Sequence, residues 1–259
     1  LREIHLKENL RRIVSLVPSQ TELLCDLGLE DDLVGVTKFC VHPTHIRKTS
    51  EVVGGTKEVH FDKIRELRPD IILCNKEENT EEMVAKLEEI APVHVSDIAT
   101  FEDSLELISQ YGKMFGVEHL TFRLIENLKN AKNSFNASLK TETKLRVAYF
   151  IWREPWMLAG HDTFINTLLE INGWENVIKD KGDRYPAIDL QSLESLKPDL
   201  ILLSSEPFPF KEKHKEEISK YFQGRIELVD GEYFSWYGSR LLHAFDYFRK
   251  FQIKLSNLR

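Results

Sequence analysis

The sequence predicts an α/β protein made of two similar lobes, each with a mostly parallel sheet covered by helices. One observation is a repeat, because the octapeptide at 67–74 returns in similar form at 196–203, shifted by half of the 259-residue chain. Another is the alternation of strand and helix patterns in both halves. A third is a helical segment without Gly or Pro, residues 118–139, which separates the halves. Together these observations favour two lobes over one continuous domain.

The repeat consists of a Pro-Asp pair followed by four apolar residues. Leu67-Arg68-Pro69-Asp70 corresponds to Leu196-Lys197-Pro198-Asp199, and each leads into an apolar run. Proline ends a preceding helix, and a short apolar run is typical of a parallel strand covered on both faces. Two such starts could arise by chance in an α/β protein. The lead-in segments 60–67 and 189–196 also match at the same offset, so we expect a duplicated unit.

The first half predicts alternating elements, with Gly28 at the end of the first helix. In order, we expect a strand at 13–17, a helix at 21–27, a strand at 33–37, a loop at 38–56, a helix at 61–67, a strand at 71–74, a helix at 80–90, a strand at 93–96 and a helix at 101–115. This βαβ rhythm indicates a Rossmann-like lobe with a parallel sheet.

The connecting segment predicts one long, rigid helix. Its apolar residues at 120, 124, 128, 131 and 135 form a single buried stripe, and 22 helical residues would span roughly 33 Å. A flexible hinge would contain Gly, Ser or Pro. We therefore expect a first lobe at 1–117, a connecting helix at 118–140 and a second lobe at 141–259, with a ligand cleft between the lobes. A single domain with a long helix is the alternative.

The second half repeats the scheme. We expect a strand at 145–151, helices at 163–171 and 190–196, a strand at 200–203, a helix at 211–222, a strand at 226–229 and a closing helix at 239–255.

Composition and motifs exclude several function classes. A formal net charge of −7 argues against a nucleic-acid or anionic-membrane surface. No apolar run approaches the roughly 20 residues of a membrane span, and residues 1–6 lack the apolar core of a signal peptide. Three cysteines cannot all pair. No Gly-x-Gly-x-x-Gly, Walker, Gly-x-Ser-x-Gly or Cys-x-x-Cys motif is present, so catalysis is not expected.

The opening segment from Arg12 to Glu22, the two lobes and the single intervening helix together resemble a known family. The chain, from about Arg11 onward, is similar to the helical-backbone (class III) substrate-binding proteins that serve ABC importers of vitamin B12, haem, ferric siderophores and some metals. The resemblance implies a non-enzymatic, monomeric binding protein with no intrinsic cofactor, whose ligand is a corrinoid or an iron chelate. It also implies ABC permease subunits as partners, and a periplasmic or membrane-anchored extracytoplasmic location. A cytosolic carrier or enzyme on the same scaffold is the alternative, because no signal peptide is visible.

In such a fold the ligand contacts loops that leave the carboxyl ends of the strands. The candidates on these loops are Phe39, Cys40, His42 and Asn75 in the first lobe, and Trp152, Arg153, Trp156, Tyr185, Phe208, Phe210, Trp236 and Tyr237 in the second. Aromatic faces suit a flat macrocycle such as a corrin or porphyrin. The alternative is that these side chains fill the core under long loops, which is the role we expect for Trp174.

Cys40 and His42 are weak candidates for metal ligands. Two residues apart on an extended strand, they would point to the same side, and both side chains bind soft or borderline metals. A structural zinc site needs four ligands, and a second Cys/His pair is missing. A polar contact or loop packing is the other interpretation. His161 could add a ligand, but Gly160-His161-Asp162-Thr163 is typical of a helix N-cap.

The resemblance also implies residues that dock to the transporter and residues that depart from the vitamin B12-binding members. Glu81 matches the docking glutamate of the first lobe, and symmetry between the lobes places that of the second lobe at Glu212, or less closely at Glu206. An acidic helix start also suits the helix dipole, so local stabilisation is an alternative. Tyr185 falls at the position of a ligand-stacking Trp, and Trp236 near an acidic and basic pair that grips polar groups.

Overall fold

The computed structural model describes residues 10–139, 144–180 and 182–257. The chain forms two compact units. The first unit comprises residues up to Ile98, Glu102–Leu128 and Tyr237–Arg240, and the second comprises Ala99–Phe101, Lys129–Trp236 and residues from Leu241 onward. The lobe boundaries given above stay a prediction. The expected boundary at residue 140 and the segment 1–6 lie outside the described residues.

A parallel five-stranded sheet forms the centre of the first unit. Up to and including the long helix, the elements are β1 (Ile13–Ser15), α1 (Pro18–Asp26), β2 (Leu33–Val36), α2 (Ile46–Thr49), β3 (Glu51–Val52), α3 (Phe61–Leu67), β4 (Ile71–Asn75), α4 (Glu81–Glu88), β5 (Val93–Ser96), α5 (Phe101–Phe115) and α6 (Glu118–Ser138). The strand order is β3-β2-β1-β4-β5, and every pair is parallel. The predicted parallel α/β arrangement is confirmed for this unit.

The long helix α6 is continuous, as its sequence predicts. It begins at Glu118 and ends at Ser138. Its stripe residues Leu128 and Phe135 are fully buried, whereas Phe122 on another face is exposed. Residues up to Leu128 belong to the first unit and residues from Lys129 to the second. One helix therefore contributes to both cores.

The second unit contains a mixed six-stranded sheet. Its elements are β6 (Arg146–Trp152), β7 (Trp156–Leu158), α7 (Phe164–Ile171), β8 (Glu175–Asn176), β9 (Ala187–Ile188), a 3₁₀ segment (Leu190–Leu196), β10 (Leu200–Ser204), α8 (Glu212–Ile218), β11 (Arg225–Val229), α9 (Glu232–Ser235) and α10 (Leu241–Ser256). The strand order is β11-β10-β6-β7-β9, with β8 beside β6. β7 pairs antiparallel with β6 and with β9, and neither β7 nor β9 is predicted from the sequence. The segment at 190–196 is a 3₁₀ helix rather than an α-helix, and α8 ends four residues earlier than predicted.

The repeated Pro-Asp pair has the same structural role in both units. Asp70 Oδ2 accepts hydrogen bonds from the backbone N–H groups of Arg11 and Arg12, both at 3.1 Å. Asp199 Oδ2 accepts one from the backbone N–H of Arg146 at 2.7 Å. Each aspartate directly precedes one strand, β4 or β10, and holds the start of the neighbouring strand, β1 or β6. These hydrogen bonds therefore set the register of β1 against β4 and of β6 against β10.

The residues before each Pro-Asp pair are also equivalent. Arg68 and Lys197 follow their helices in the left-handed conformation, with φ of 46° and 48°. The guanidinium of Arg12 donates to the carbonyl of Leu67 at 2.7 Å, and that of Arg146 donates to Leu196 at 2.7 Å. These bonds satisfy carbonyl groups that a helix end leaves without partners. The two units thus share equivalent hydrogen bonds at these helix ends, in agreement with the duplication predicted from the sequence.

Glycine ends the corresponding helices α1 and α7. Gly28 has φ of 75° and Gly173 has φ of 76°. In both cases the following residue donates its backbone N–H to a carbonyl five residues back, from Leu29 to Leu24 and from Trp174 to Leu169. This left-handed helix end favours glycine, which has no Cβ to clash.

Candidate functional site

The carboxyl ends of β1, β2, β4 and β5 lie at one edge of the first unit's sheet, because the strands are parallel. Phe39, in the loop after β2, is the large aromatic side chain that this edge exposes, with 49% of its surface accessible. The ammonium group of Lys38 lies 5.1 Å from the centre of the Phe39 ring. The Phe39 ring is therefore accessible at this edge, and its contact with a ligand stays a prediction.

The metal-site hypothesis for Cys40 and His42 rests on a premise that the structure contradicts. Residues 37–45 form a loop of turns and bends, not an extended strand. Cys40 is fully buried, and its Sγ lies 3.1 Å from Thr21 Oγ1 and 3.3 Å from Thr37 Oγ1. Burial raises the pKa of the Cys40 thiol, which disfavours the thiolate that binds metals. His42 is half-buried.

No metal cluster supports this hypothesis elsewhere in the part of the chain that the structure describes. Within residues 10–139, 144–180 and 182–257, no three His, Cys, Asp or Glu side chains come together as a set that could hold a metal ion. Thr163 Oγ1 accepts a hydrogen bond from the backbone N–H of Asn166 at 3.1 Å. The residues around His161 therefore form the N-cap of α7, as the sequence indicates.

Asn75 and Tyr237 belong to a buried polar network in the first unit. Gln20 Nε2 donates to Ser96 Oγ at 2.7 Å and to the Tyr237 hydroxyl at 2.9 Å. The Tyr111 hydroxyl donates to Gln20 Oε1 at 2.6 Å, and Asn75 Nδ2 donates to Ser96 Oγ at 3.1 Å. Burial raises the pKa of Tyr237. Asn75 and Tyr237 thus have internal partners, and their contact with a ligand stays a prediction.

Aromatic side chains pack together at the carboxyl end of β6 in the second unit. This aromatic cluster consists of Phe150, Trp152, Trp156, Phe208 and Phe210. Trp156 stacks on Phe210 with 6.0 Å between ring centres and an interplanar angle of 13°, and Phe208 meets Phe210 edge-on at 4.8 Å. Trp152 meets Phe208 edge-on at 5.8 Å and keeps 40% of its surface accessible. Trp152 is therefore the member whose ring is most available to a ligand, since the other rings are more deeply packed.

Arg153 is held beside the aromatic cluster by a carboxylate. Its Nε and Nη2 donate to the two carboxylate oxygens of Glu217 at 3.1 and 3.0 Å. Its Nη1 also donates to Glu154, and its guanidinium lies 5.5 Å from the centre of the Trp156 ring. The hydrogen bonds from Arg153 hold the pKa of Glu217 below its usual range. The charge of Arg153 is thus already paired within the second unit.

His214 orders the loop that carries two cluster members. Its Nδ1 accepts a hydrogen bond from the backbone N–H of Lys211 at 2.9 Å, at the start of α8. Its ring meets Phe208 and Phe210 edge-on at 5.3 and 5.5 Å. Because Nδ1 accepts, this contact requires the neutral imidazole.

Protonation of His214 is expected to destabilise the protein in mild acid. Burial lowers the pKa of His214, the charges of Lys213, Arg153 and Lys211 lower it further, and Glu217 opposes them. A lowered folded-state pKa means that stability is complete above the unfolded value of about 6.5 and is lost as the pH falls. We expect the free energy of unfolding to drop by about 1 kcal/mol, the usual worth of a helix cap, measured by urea titration between pH 7 and 5.

Two variants test this expectation. His214→Gln keeps a side-chain acceptor that does not titrate, so its unfolding free energy should change less with pH than that of the unaltered chain. His243→Gln, at an exposed position on α10, should retain the full dependence. Equal pH profiles for the two variants would contradict the role of His214.

The remaining predicted residues have varied surroundings. Trp236 is buried, and its Nε1 donates to Glu206 Oε1 at 2.8 Å. Tyr185 is half-buried, and its backbone N–H donates to Asp183 Oδ1 at 2.9 Å. Trp174 is buried against Phe234 and Phe251, which confirms its packing role. Roles of Trp236 and Tyr185 in ligand contact stay predictions.

The predicted docking glutamates each begin the helix that follows a strand of the repeat, α4 after β4 and α8 after β10. Glu81 is the first residue of α4, exposed, and preceded by the N-cap Thr80. Glu212 is the first residue of α8, exposed, and lies 3.3 Å from Lys215. Glu206 instead accepts internal hydrogen bonds from Ser235 and Trp236, so Glu212 is the better placed of the two for an external partner.

Glu78 is a further candidate site residue that is absent from the sequence-based candidates. It follows β4, and the Oδ1 atom of Asn75 accepts the backbone N–H groups of Glu77 at 2.9 Å and Glu78 at 3.4 Å. Burial raises the pKa of Glu78, while the charge of Lys57 and a hydrogen bond from Thr56 oppose the shift. An acidic residue directly after a repeat strand was the signal available in the sequence. The structure thus places a partly desolvated carboxyl group at the edge of the first unit's sheet where the parallel strands end.

A depression of about 440 Å³ lies beside the aromatic cluster on the second unit. Its walls include Trp156, Ile188 and Tyr221, with Glu217 and Lys220 also lining it. None of the described helices is long and apolar enough to cross a membrane.

Comparisons of sequence identify similar proteins. The model of a periplasmic binding protein family matches residues 13–223. An uncharacterised ABC transporter substrate-binding lipoprotein of Bacillus subtilis is 26% identical over 254 residues, which cover 93% of this chain and 80% of the relative. A vitamin B12-binding protein of Vibrio parahaemolyticus is 22% identical over 198 residues, covering 76% of this chain and 72% of the relative.

Solved structures share the fold. The periplasmic vitamin B12-binding protein of Vibrio cholerae matches with a TM-score of 0.79 and 19% identity, covering 96% of this chain and 99% of that one. A periplasmic haem-binding protein of Pseudomonas aeruginosa matches with a TM-score of 0.78 and 20% identity, covering 92% and 91%. At these identities the likeness establishes the fold, and function has to be argued from the site.

Proposed function

The chain belongs to the periplasmic binding protein family, and from that premise we propose that it is the substrate-binding component of an ABC importer for a metal chelate. The ligand class is a corrinoid, haem or a ferric siderophore, and the protein works outside the cytoplasm. The family consists of binding proteins, so the chain is not an enzyme. Family membership also speaks against the cytosolic carrier or enzyme considered from the sequence.

The exposed face of Trp152 carries the proposal for the ligand. Trp152 follows the last buried residues of β6 and is supported edge-on by Phe208, while Phe39 offers a second exposed ring in the first unit. Aromatic rings on ordered loops bury a large area against a planar chelate and lose little conformational entropy. The relatives named as vitamin B12-binding and haem-binding proteins support this ligand class.

Delivery to a permease is the second part of the proposal. Glu81 and Glu212 begin the helices after the two repeat strands, and both are exposed. Carboxylates at these positions offer charged hydrogen-bond acceptors to arginine side chains of a membrane subunit. The relative named as an ABC transporter substrate-binding lipoprotein supports such a partner.

Calorimetric titration with cobinamide, cyanocobalamin, haem and ferric siderophores tests the proposal. At least one chelate should bind, and Trp152→Ala and Phe39→Ala should each weaken binding roughly tenfold, because an aromatic contact is worth about 0.5–1.5 kcal/mol beyond its buried area. Phe122→Ala is the matched control, since Phe122 is an exposed aromatic on α6. Failure of every chelate to bind, or equal losses in all three variants, would refute the proposal.

A further inference from the structure

We infer that the ligand presents hydrogen-bond donors or positive charge at its periphery, rather than carboxylates or other anionic groups. This inference rests on the proposed function and narrows its substrate class. It follows from the charged side chains on the loops after the carboxyl ends of the strands in each unit. It also depends on which of these side chains already have a partner within the unit.

In the first unit, the carboxyl of Glu78 lies at this edge, near the exposed ion pair of Lys76 and Asp97. Its loop is held at both ends, because Asn79 Oδ1 accepts the backbone N–H of Asn75 at 2.8 Å and Asn79 Nδ2 donates to the Thr56 carbonyl at 2.8 Å. Together with the hydrogen bonds that Asn75 Oδ1 accepts from the backbone of Glu77 and Glu78, these contacts order the backbone that carries the Glu78 side chain. A carboxyl on such an ordered loop can accept hydrogen bonds from N–H groups at a small entropic cost.

The cations near Glu78 and Phe39 do not form an equally fixed anion site. Lys57 Nζ donates to the backbone carbonyl of Glu77, and its charge acts on Glu78. Lys38 is exposed, and its ammonium lies over the Phe39 ring. Lys57 is thus already bound to a backbone carbonyl, and the exposed Lys38 is a well-hydrated charge, so neither contributes much to selective binding of an anion.

In the second unit, the guanidinium beside the aromatic cluster is already paired. Arg153 makes a forked contact with Glu217 and a further bond to Glu154. Two carboxylates against one guanidinium leave this group of three with a net negative charge. A carboxylate on the ligand would have to replace Glu217 and approach Glu154, and both steps oppose binding.

The charge of the whole chain acts in the same direction. The formal net charge is −7, which slows the approach of anions and favours that of cations. Three observations therefore favour a ligand with hydrogen-bond donors or positive charge at its periphery. They are the acid on an ordered loop of the first unit, the paired arginine of the second unit and the negative net charge. Corrinoids with amide side chains and cationic hydroxamate chelates have the required periphery. Haem, with its propionates, and ferric tris-catecholates do not.

Competitive calorimetry with four probes tests the inference. Cobinamide and ferrioxamine represent the amide and the cationic chelates, whereas haem and a ferric tris-catecholate represent the anionic ones. We expect at least one of the first two to bind roughly tenfold or more tightly than both anionic probes, since one charged hydrogen bond changes an affinity by about that factor. Which of the first two binds tells an amide periphery from a cationic one.

Two charge-matched variants locate the effect. Glu78→Gln should weaken the preferred probe roughly tenfold, whereas Glu82→Gln removes the same charge from the exposed start of α4 and should leave its affinity unchanged. Thermal unfolding of each variant shows whether it is folded, and Glu78→Gln should not be less stable, because it removes a desolvated carboxyl.

The failure of the inference is distinct from that of the proposed function. Tighter binding of haem or the catecholate, or equal affinities of Glu78→Gln and Glu82→Gln for the preferred probe, would overturn the inference and leave the importer proposal standing. Binding of no probe would overturn both.

Discussion

Replacing Arg240 by Ala is expected to lower the free energy of unfolding by about 3–5 kcal/mol, because it leaves a buried carboxylate without its partner. Arg240 Nε and Nη2 donate to the two carboxylate oxygens of Glu22 at 2.7 and 2.6 Å. The two side chains are only 7% and 13% exposed. Urea unfolding followed by far-ultraviolet circular dichroism measures the change.

An exposed ion pair provides the control for this prediction. Arg249 lies 2.7 Å from Asp246 on α10, and the side chains are 37% and 69% exposed. Solvent screens such a pair, so Arg249→Ala should cost less than about 1 kcal/mol. If the two alanine variants were equally stable, the burial of the Arg240–Glu22 pair would have no energetic consequence and the prediction would be wrong.

Removing the repeated aspartates is the next largest expected effect. Asp70→Ala deletes the acceptor of two backbone N–H groups, and Asp199→Ala deletes the acceptor of one. Hydrogen bonds to a charged group contribute about 1.5–3 kcal/mol. We expect a loss within that range for Asp70→Ala and a loss at its lower end for Asp199→Ala, both measured by urea unfolding.

The comparison between the two aspartates tests whether the repeated Pro-Asp pair stabilises the fold of both units. Asp62→Ala serves as control, because Asp62 makes an exposed pair with Arg65, and it should cost under about 1 kcal/mol. A stability of Asp70→Ala close to that of Asp62→Ala would show that the Pro-Asp pair is a sequence feature without a structural role.

Strongly periodic segments of the fold could be predicted from the sequence. The bounds of α3 and α5 agree with the structure because Pro69 and Gly116 follow shortly after their last residues and their apolar spacing is regular. β7 and β9 were missed because three- and two-residue strands carry no periodic signal. They exist through antiparallel pairing with β6 and with each other, which is a property of the tertiary structure.

Residue type alone did not separate exposed candidate residues from buried ones. Trp152 and Trp236 both lie at the end of a predicted strand, but one is exposed and the other is buried with its indole bonded to Glu206. Glu78 was overlooked because a glutamate in a polar run is usually a solvated surface residue. Its burial arises from tertiary packing, and Thr56 and Lys57, which oppose the resulting rise in its pKa, are distant in sequence.

The segment Tyr237–Arg240 has a consequence for biosynthesis. It belongs to the first unit, where the Tyr237 hydroxyl bonds to Gln20, the Gly238 N–H to Ser104 and the Arg240 guanidinium to Glu22. A ribosome adds about 5–20 residues per second, so these partners are made on the order of ten seconds after the rest of the unit. Until then the polar interior of the first unit is incomplete. The nascent chain therefore matures as a whole, and a product truncated before Tyr237 has no complete lobe.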